Sequence, residues 1–202
     1  MRNRMTTGRA IVGVLALLVV FSGVAAAEQL HVNESGWWRE GGAFNASGTP
    51  IQAAVDAADA GGTIYVYNGT YCEGGGVSIT KDRITLQGEE ANTTTIHGRW
   101  TAEKVVYVSG NCVNVSGFTI AGSAERGHGI YVKADYCTIS DNNAPEMWYG
   151  IGLYFSSNNT LTNNTASNNG YGIYLYGSSN YNTLTDNTAN SNKHFGIYLD
   201  SS

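Results

Sequence analysis

The chain is short of charge, cysteine and long apolar runs. Charged residues occupy 13% of its 202 positions, against about 25% in an ordinary soluble domain. No cluster of Lys and Arg forms a basic groove, which argues against nucleic acid as a partner. The three cysteines, Cys72, Cys112 and Cys137, are too few and odd in number for a disulfide framework. No Cys/His spacing suggests a metal site, so neither a metal nor another cofactor is expected. Beyond residue 24 no apolar stretch is long enough to span a bilayer. What abounds instead is Asn, Thr, Ser, Gly and Tyr, a composition suited to partners met through hydrogen bonds and aromatic faces.

The first 27 residues read as a signal peptide. Arg2, Arg4 and Arg9 precede an apolar run from Ile11 to Val24, and Ala25-Ala26-Ala27 supplies the small residues of a cleavage site. An uncleaved N-terminal anchor is the alternative. Either reading makes the protein exported, to the medium or to the cell surface or envelope. Without the three arginines, 8 Lys+Arg face 16 Asp+Glu, a formal charge of −8.

One phrase then repeats. Gly129-Ile130-Tyr131-Val132 returns as Gly150-Ile151-Gly152-Leu153, Gly172-Ile173-Tyr174-Leu175 and Gly196-Ile197-Tyr198-Leu199, at spacings of 21, 22 and 24. A second apolar column, Val115, Ile139, Leu161 and Leu184, runs at spacings of 24, 22 and 23. Alternation within each run is period two, and the runs are too short for helices. Two columns that share one period require parallel strands stacked in register. Ahead of them, Pro50–Ala58 reads as a short helix with Ile51, Ala54, Val55 and Ala58 on one face. Thr49 is its expected N-cap, and Pro50 fits the first turn because its missing N–H would have had no partner. That helix is expected to cover the first coil and block edge-to-edge pairing. The organisation is thus a signal peptide at 1–27, an N-terminal extension at 28–48 and a β-helix domain at 49–202.

Polar residues follow the same period. Asn142, Asn164 and Asn187 fall just after the second-column strand, and Asn169 and Asn192 recur in the next turn. Asn tolerates left-handed backbone, and amides at equivalent turns can bond to the coils above and below. These five residues read as a structural Asn ladder first and as ligand contacts second. Cys112 and Cys137 lie in neighbouring turns, so either a disulfide or two small reduced side chains is consistent with the spacing. Seven Asn-X-Ser/Thr sequons occur, of which Asn33, outside the repeats, is the cleanest glycosylation candidate.

These phrases, with Asn68-Gly69-Thr70-Tyr71 after the helix and the recurring Leu-Thr-Asn-Asn, resemble the right-handed parallel β-helix repeat family. Within it they are most similar to NosD-like proteins and to carbohydrate-binding and sugar-hydrolysis domains of pectin-lyase-like fold. The resemblance covers about residues 48–200 and implies an all-β, right-handed solenoid with a short N-terminal capping helix. It says less about chemistry. Gly127-His128-Gly129 is similar to a fragment of the polygalacturonase site, yet His128 aligns with Tyr149, Tyr171 and Phe195, where a ring serves stacking. The remaining polygalacturonase motifs are absent, and Asp135, Asp141, Glu146, Asp186 and Asp200 do not form the carboxylate pair that glycoside hydrolysis needs. No catalytic residue is therefore assigned. Copper, implied by a NosD-like resemblance, finds no cluster of imidazole or soft ligands, with His97, His128 and His194 in different coils.

The outward positions of the repeated strand are more informative. If Ile and Leu point inward, Tyr107, Tyr131, Tyr174 and Tyr198 form one outward column with a gap at Gly152, beside Tyr154 and Tyr176. These six tyrosines are the candidate ligand-binding residues, for a polysaccharide or surface glycan; mere stabilisation of the sheet is the competing account. The expected function is an exported β-helix module that binds glycan or serves a structural role. A polysaccharide-processing enzyme, lyase more than hydrolase, is the alternative. The last coil ends at Ser201-Ser202 without a polar or helical cap, so the domain is expected to be incomplete there, with further coils or self-association at that end.

Overall fold

A computed structural model describes residues 28–200. The signal-peptide reading and the final two serines lie outside the described residues. The chain forms the right-handed parallel β-helix, with two long ladders of parallel strands and a third made of isolated bridges. One sheet stacks Thr94–Val108, Thr119–Val132, Tyr149–Tyr154, Tyr171–Tyr176 and Phe195–Asp200 in order. The other stacks Thr63–Val66, Thr85–Gly88, Asn114–Ser116, Thr138–Ser140, Thr160–Thr162 and Thr183–Thr185. The third edge is marked by bridges from Thr119 to Asn143, Thr165 and Thr188 in turn.

Both apolar columns stack as the period requires. Val106, Ile130, Ile151, Ile173 and Ile197 pair in succession on one sheet, and Val115, Ile139, Leu161 and Leu184 on the other. Ile130, Ile139, Ile151, Leu161 and Ile173 are fully buried. Each such aliphatic side chain contributes roughly 1.5–3 kcal/mol by leaving water.

The glycine that opens every phrase has a steric reason. A Cβ on Gly129 would lie 2.6 Å from the Gly150 carbonyl oxygen, and one on Gly150 would lie 2.7 Å from that of Gly172. Coils approach here backbone to backbone, and no side chain fits between them.

The turns repeat as faithfully as the strands. Arg83, Cys112, Tyr136, Asn158 and Tyr181 share one turn position, all with φ between 56° and 60°. Asp141, Asn163 and Asp186 share a second, with φ of 57°, 56° and 54°. The left-handed residue is thus the one before the buried ladder asparagine, and the ladder residues themselves avoid that region.

The N-terminal end is closed in two ways. Residues 28–48 add a strand, Gln29–Asn33, parallel to Thr63–Val66, and then fold back as antiparallel Gly36–Arg39 and Asn45–Ala46. That hairpin terminates the sheet edge, a role the sequence reading gave to the helix. The helix, Pro50–Ala57, covers the first coil with Ile51, Ala54 and Val55. Thr49 stands at its N-cap but makes no side-chain capping bond. Glu73, fully buried and 22 residues beyond Ile51, does so instead, its carboxylate accepting the N–H of Ile51 at 2.8 Å and of Gln52 at 3.4 Å. At the other end Lys81 Nζ donates to the carbonyls of Asp56 and Ala58, both at 2.7 Å. A helix too short to persist alone is therefore held at both ends by the first coil.

Burial raises the pKa of Glu73, and the two backbone N–H bonds only partly oppose it. A folded-state pKa above the unfolded value means that the native state binds the proton more tightly. Stability is then greatest below the ordinary carboxylate pKa and falls as pH rises through the elevated one. Glu73→Gln should remove this part of the pH dependence. In melts from pH 3 to 8, the difference in Tm between parent and variant should shift in the variant's favour as pH rises. A constant difference would refute it.

Candidate aromatic binding face

The outward side of the sheet containing the Gly-Ile-Tyr-Leu strands is paved with rings in three columns. Tyr107, Tyr131, Gly152, Tyr174 and Tyr198 pair in succession. Lys104, His128, Tyr149, Tyr171 and Phe195 form a second column, and Tyr154, Tyr176 and Asp200 a third. All six candidate tyrosines thus share one surface.

The gap expected at Gly152 is filled. Tyr154 leans across it and stacks on Tyr131, with centroids 4.3 Å apart and planes 9° apart. Gly152 makes the room, since a Cβ there would come within 2.6 Å of Tyr154 Cε2. Tyr174 stacks on Tyr198 at 5.5 Å with planes 2° apart, donates to Asp200 Oδ2 at 3.3 Å, and is buried. The surface is therefore a packed aromatic floor; its rings are mostly half-buried and not free-standing. Burial, with neighbouring tyrosines and Asp200 adding to it, holds the Tyr154 and Tyr174 hydroxyls well above the usual tyrosine pKa. They remain protonated, as hydrogen-bond donors, at every physiological pH.

His128 is built into that floor. Its ring stacks on Tyr149 at 4.5 Å and 16°, and its Nε2 lies 2.7 Å from the Tyr154 hydroxyl. Burial lowers its pKa to about 4, the nearby Lys104 charge acting in the same direction and a bond to the Glu103 backbone opposing it. A neutral imidazole bonded to the Glu103 backbone and to Tyr154 serves as one more ring in the stack.

Two irregular segments raise a wall beside the floor. The pairing of Thr94–Val108 with Thr119–Val132 shifts register between Ala121 and Ser123 and again before His128. These segments present Trp100, Glu103, Lys104, Glu125 and Arg126, which the sequence reading left out as binding residues. The signal for Trp100, Glu103 and Lys104 was the 29 residues from Leu86 to Val115, against 22 to 24 in later coils, whereas Glu125 and Arg126 lie in a coil of ordinary length. Lys104 Nζ sits 5.0 Å above the Tyr131 ring, and the Arg126 guanidinium 5.6 Å above Trp148.

Along the wall lie three neighbouring depressions that share lining residues and together make a groove. One of about 340 Å³ reaches from Ser78 to Tyr107. The next, about 520 Å³, shares Glu103 and Lys104 with it and reaches His128 and Tyr131. The third, about 550 Å³, shares Glu125 with the second and holds Trp100, Trp148 and Lys193. Glu103 and Glu125 thus line a single cleft. Of the carboxylates picked from the sequence, Asp135 accepts from the Ser157 N–H at 2.6 Å and Asp141 from Asn163 at 2.6 Å, Asp200 accepts from the Tyr174 hydroxyl, and Glu146 lines the third depression beside Glu125.

Of the ladder asparagines, Asn169 also lines the third depression. Asn142, Asn164 and Asn187 bond one to the next inside the turns, as do Asn169 and Asn192. A third ladder, Asn159 over Asn182, escaped the sequence reading. Cys72, Cys112 and Cys137 are all free thiols, so the bridge between Cys112 and Cys137 is not formed. Cys137 is buried with its Sγ 3.5 Å from the Gly110 and Asp135 carbonyls, and burial pushes its thiol up to about 11. Cys112, its partner in the expected bridge, is exposed. Asn33 sits at a hairpin turn, its Oδ1 accepting the N–H groups of Ser35 and Gly36.

Fold and face together define a right-handed parallel β-helix with an aromatic-floored groove along its axis. Its family is the one described as periplasmic copper-binding protein (NosD), which matches residues 46–202, and the chain belongs to it. No curated protein shows significant similarity to the chain. Among solved structures, ORF18 of Geobacillus virus E2 is similar at 18% identity and a TM-score of 0.59, over 73% of this chain and 38% of the viral one. A pectin methylesterase mutant in complex with a hexasaccharide is similar at 15% identity and a TM-score of 0.46, over 74% of this chain and 55% of the esterase. The viral likeness concerns the fold alone. The chain spans well under two thirds of either protein's length.

The copper in the family's description needs several imidazole or sulfur donors turned to one point. Here His97 lies against Trp100 at 5.6 Å, His128 against Tyr149, and His194 on Tyr171 at 4.9 Å, each in a different coil. Among the described residues no three His, Cys, Asp or Glu side chains gather around a common point. The donors present do not fit a copper site.

Proposed function

We propose that this protein is an exported β-helix module that binds glycan along its aromatic groove. One observation carries the reading: three depressions that share lining residues follow one another along the aromatic face, two of them against Tyr107 and Tyr131 and the third against Trp100 and Trp148. Rings offer apolar faces to sugar C–H groups, and Lys104 and Arg126 offer donors to sugar oxygens. Export is supported by the arginine-led apolar leader and by the periplasmic description of the family. Among the described residues no helix is long and apolar enough to cross a membrane.

Affinity gel electrophoresis against a panel of neutral and acidic polysaccharides tests this. The parent should be retarded by at least one polymer, and Tyr107→Ala combined with Trp148→Ala should weaken retention about tenfold with an unchanged circular dichroism spectrum. Retention by no polymer, or full retention by the variant, would remove the proposal. A second reading, polysaccharide cleavage, is favoured by Glu103 and Glu125 lining one cleft. It requires new reducing or unsaturated ends in the same incubations, lost in Glu125→Gln.

A further inference from the structure

Four exposed aromatic side chains of the coils stand on backbone ill suited to them. Trp100, Tyr136, Phe155 and Tyr181 are 64%, 62%, 62% and 86% exposed, and their φ angles are 63°, 59°, 51° and 56°. Bulky residues seldom occupy this left-handed region, and such outliers concentrate where function retains them. Trp100 belongs to the groove wall. The other three lie on the turns that leave the aromatic floor for the opposite sheet.

The turn itself does not need rings. Tyr136 and Asn158 hold equivalent places in successive coils, their N–H groups donating to the Ser157 and Asn180 carbonyls one coil on. Tyr181 takes the same place in the coil after. Phe155 donates to the Tyr176 carbonyl, and its equivalent in the next coil, Gly177, donates to that of Asp200. Asn and Gly, which accept positive φ readily, therefore do the same backbone work. The aromatic choices are in excess of what folding demands.

We propose that Tyr136, Phe155 and Tyr181 form a second contact ridge, one that takes an uncharged polysaccharide lying along the solenoid axis. Periodicity supports a polymer: Tyr136 and Tyr181 are equivalent residues two coils apart, about 10 Å at the spacing of stacked strands. A ligand that repeats can meet the same ring twice, whereas a globular partner has no such repeat. Charge supports neutrality. Residues 155–159 and 177–182 contain Ser, Asn, Gly, Phe and Tyr without one ionised side chain. The Tyr136 turn carries one charge of each sign, Lys133 and Asp135, the latter bonded to the Ser157 N–H, while the groove carries Glu103, Lys104, Glu125 and Arg126. Phe155 meets Tyr176 edge-on at 5.4 Å, so ridge and floor form one continuous surface. The inference shares the glycan class with the groove reading but rests on different residues.

The full chain is run through gels containing hydroxyethylcellulose, glucomannan or dextran, with carboxymethylcellulose as the charged comparison. The parent should be retarded by at least one neutral polymer. Tyr136→Asn with Tyr181→Asn should lower that retention about tenfold without lowering Tm, since Asn relieves the backbone. Phe155→Gly should act in the same direction. Unchanged retention in these variants, or a parent that no neutral polymer retards, overturns the ridge. If only Tyr107→Ala with Trp148→Ala loses retention, the groove stands and the ridge falls; if only the ridge variants lose it, the reverse holds.

Discussion

Asn164→Ala is expected to cost about 3–4 kcal/mol, among the largest effects of any polar substitution in the chain. The side chain is buried and works on three coils at once. Its Oδ1 accepts the Asn142 N–H at 3.1 Å and Asn142 Nδ2 at 3.2 Å, while its Nδ2 donates to the Ile139 carbonyl at 2.8 Å and to Asn187 Oδ1 at 3.0 Å. Truncation strips the Asn142 N–H of its acceptor and the Ile139 carbonyl of a donor, in a turn too enclosed for water to replace them easily. Each buried group left so costs about 1–3 kcal/mol. Asn187→Ala, at a half-buried rung, should cost about half as much. Urea denaturation of the two variants measures this. Equal and small shifts in midpoint would show that the ladder contributes little.

Gly150→Ala should destabilise by about 3 kcal/mol, although it adds a single methyl group to a strand. The new carbon would lie 2.6 Å from Asn169 Nδ2 and 2.7 Å from the Gly172 carbonyl oxygen. Neither neighbour yields cheaply. The carbonyl is backbone of the next coil, and the amide donates to the Ala144 carbonyl at 2.9 Å. The substitution thus prises two coils apart and disturbs a ladder at once. Gly75→Ala is the control, because nothing lies within 4 Å of its added carbon. It should be neutral or slightly stabilising. A Gly150→Ala variant as stable as the Gly75→Ala one would refute the argument.

Both effects belong to features the sequence displays without explaining. The period, the two apolar columns and the recurring asparagines are legible because a solenoid repeats its contacts, so one correct alignment yields every coil. The reason for the glycine is not, since it depends on how closely neighbouring backbones approach. Thr49 was the local choice for capping the helix, but Glu73 and Lys81 do the work from the first coil, and long-range contacts leave no spacing signal. The six tyrosines were found by assuming Ile and Leu point inward. Tyr154 reaching over Gly152 was not, because lateral packing of side chains crosses the columns that a repeat alignment keeps separate. The groove wall was the most hidden. Trp100 and Glu103 occupy a segment that breaks the period, Glu125 and Arg126 one whose pairing shifts register, and a reading built on repetition passes over what does not repeat.

The ladders also bear on how such a molecule changes length over evolution. Every strand and amide rung between Asn142 and Asn192 pairs with its counterpart one coil away. Duplicating or excising one whole coil therefore rejoins like with like, whereas a half-coil change would set apolar columns against turns. Aromatic floor and ridge lengthen or shorten with the same unit, so the reach of the binding surface along a polymer is adjustable in coil-sized steps. The irregular wall is the exception: it is confined to two neighbouring coils, and duplication of plain coils leaves it in single copy.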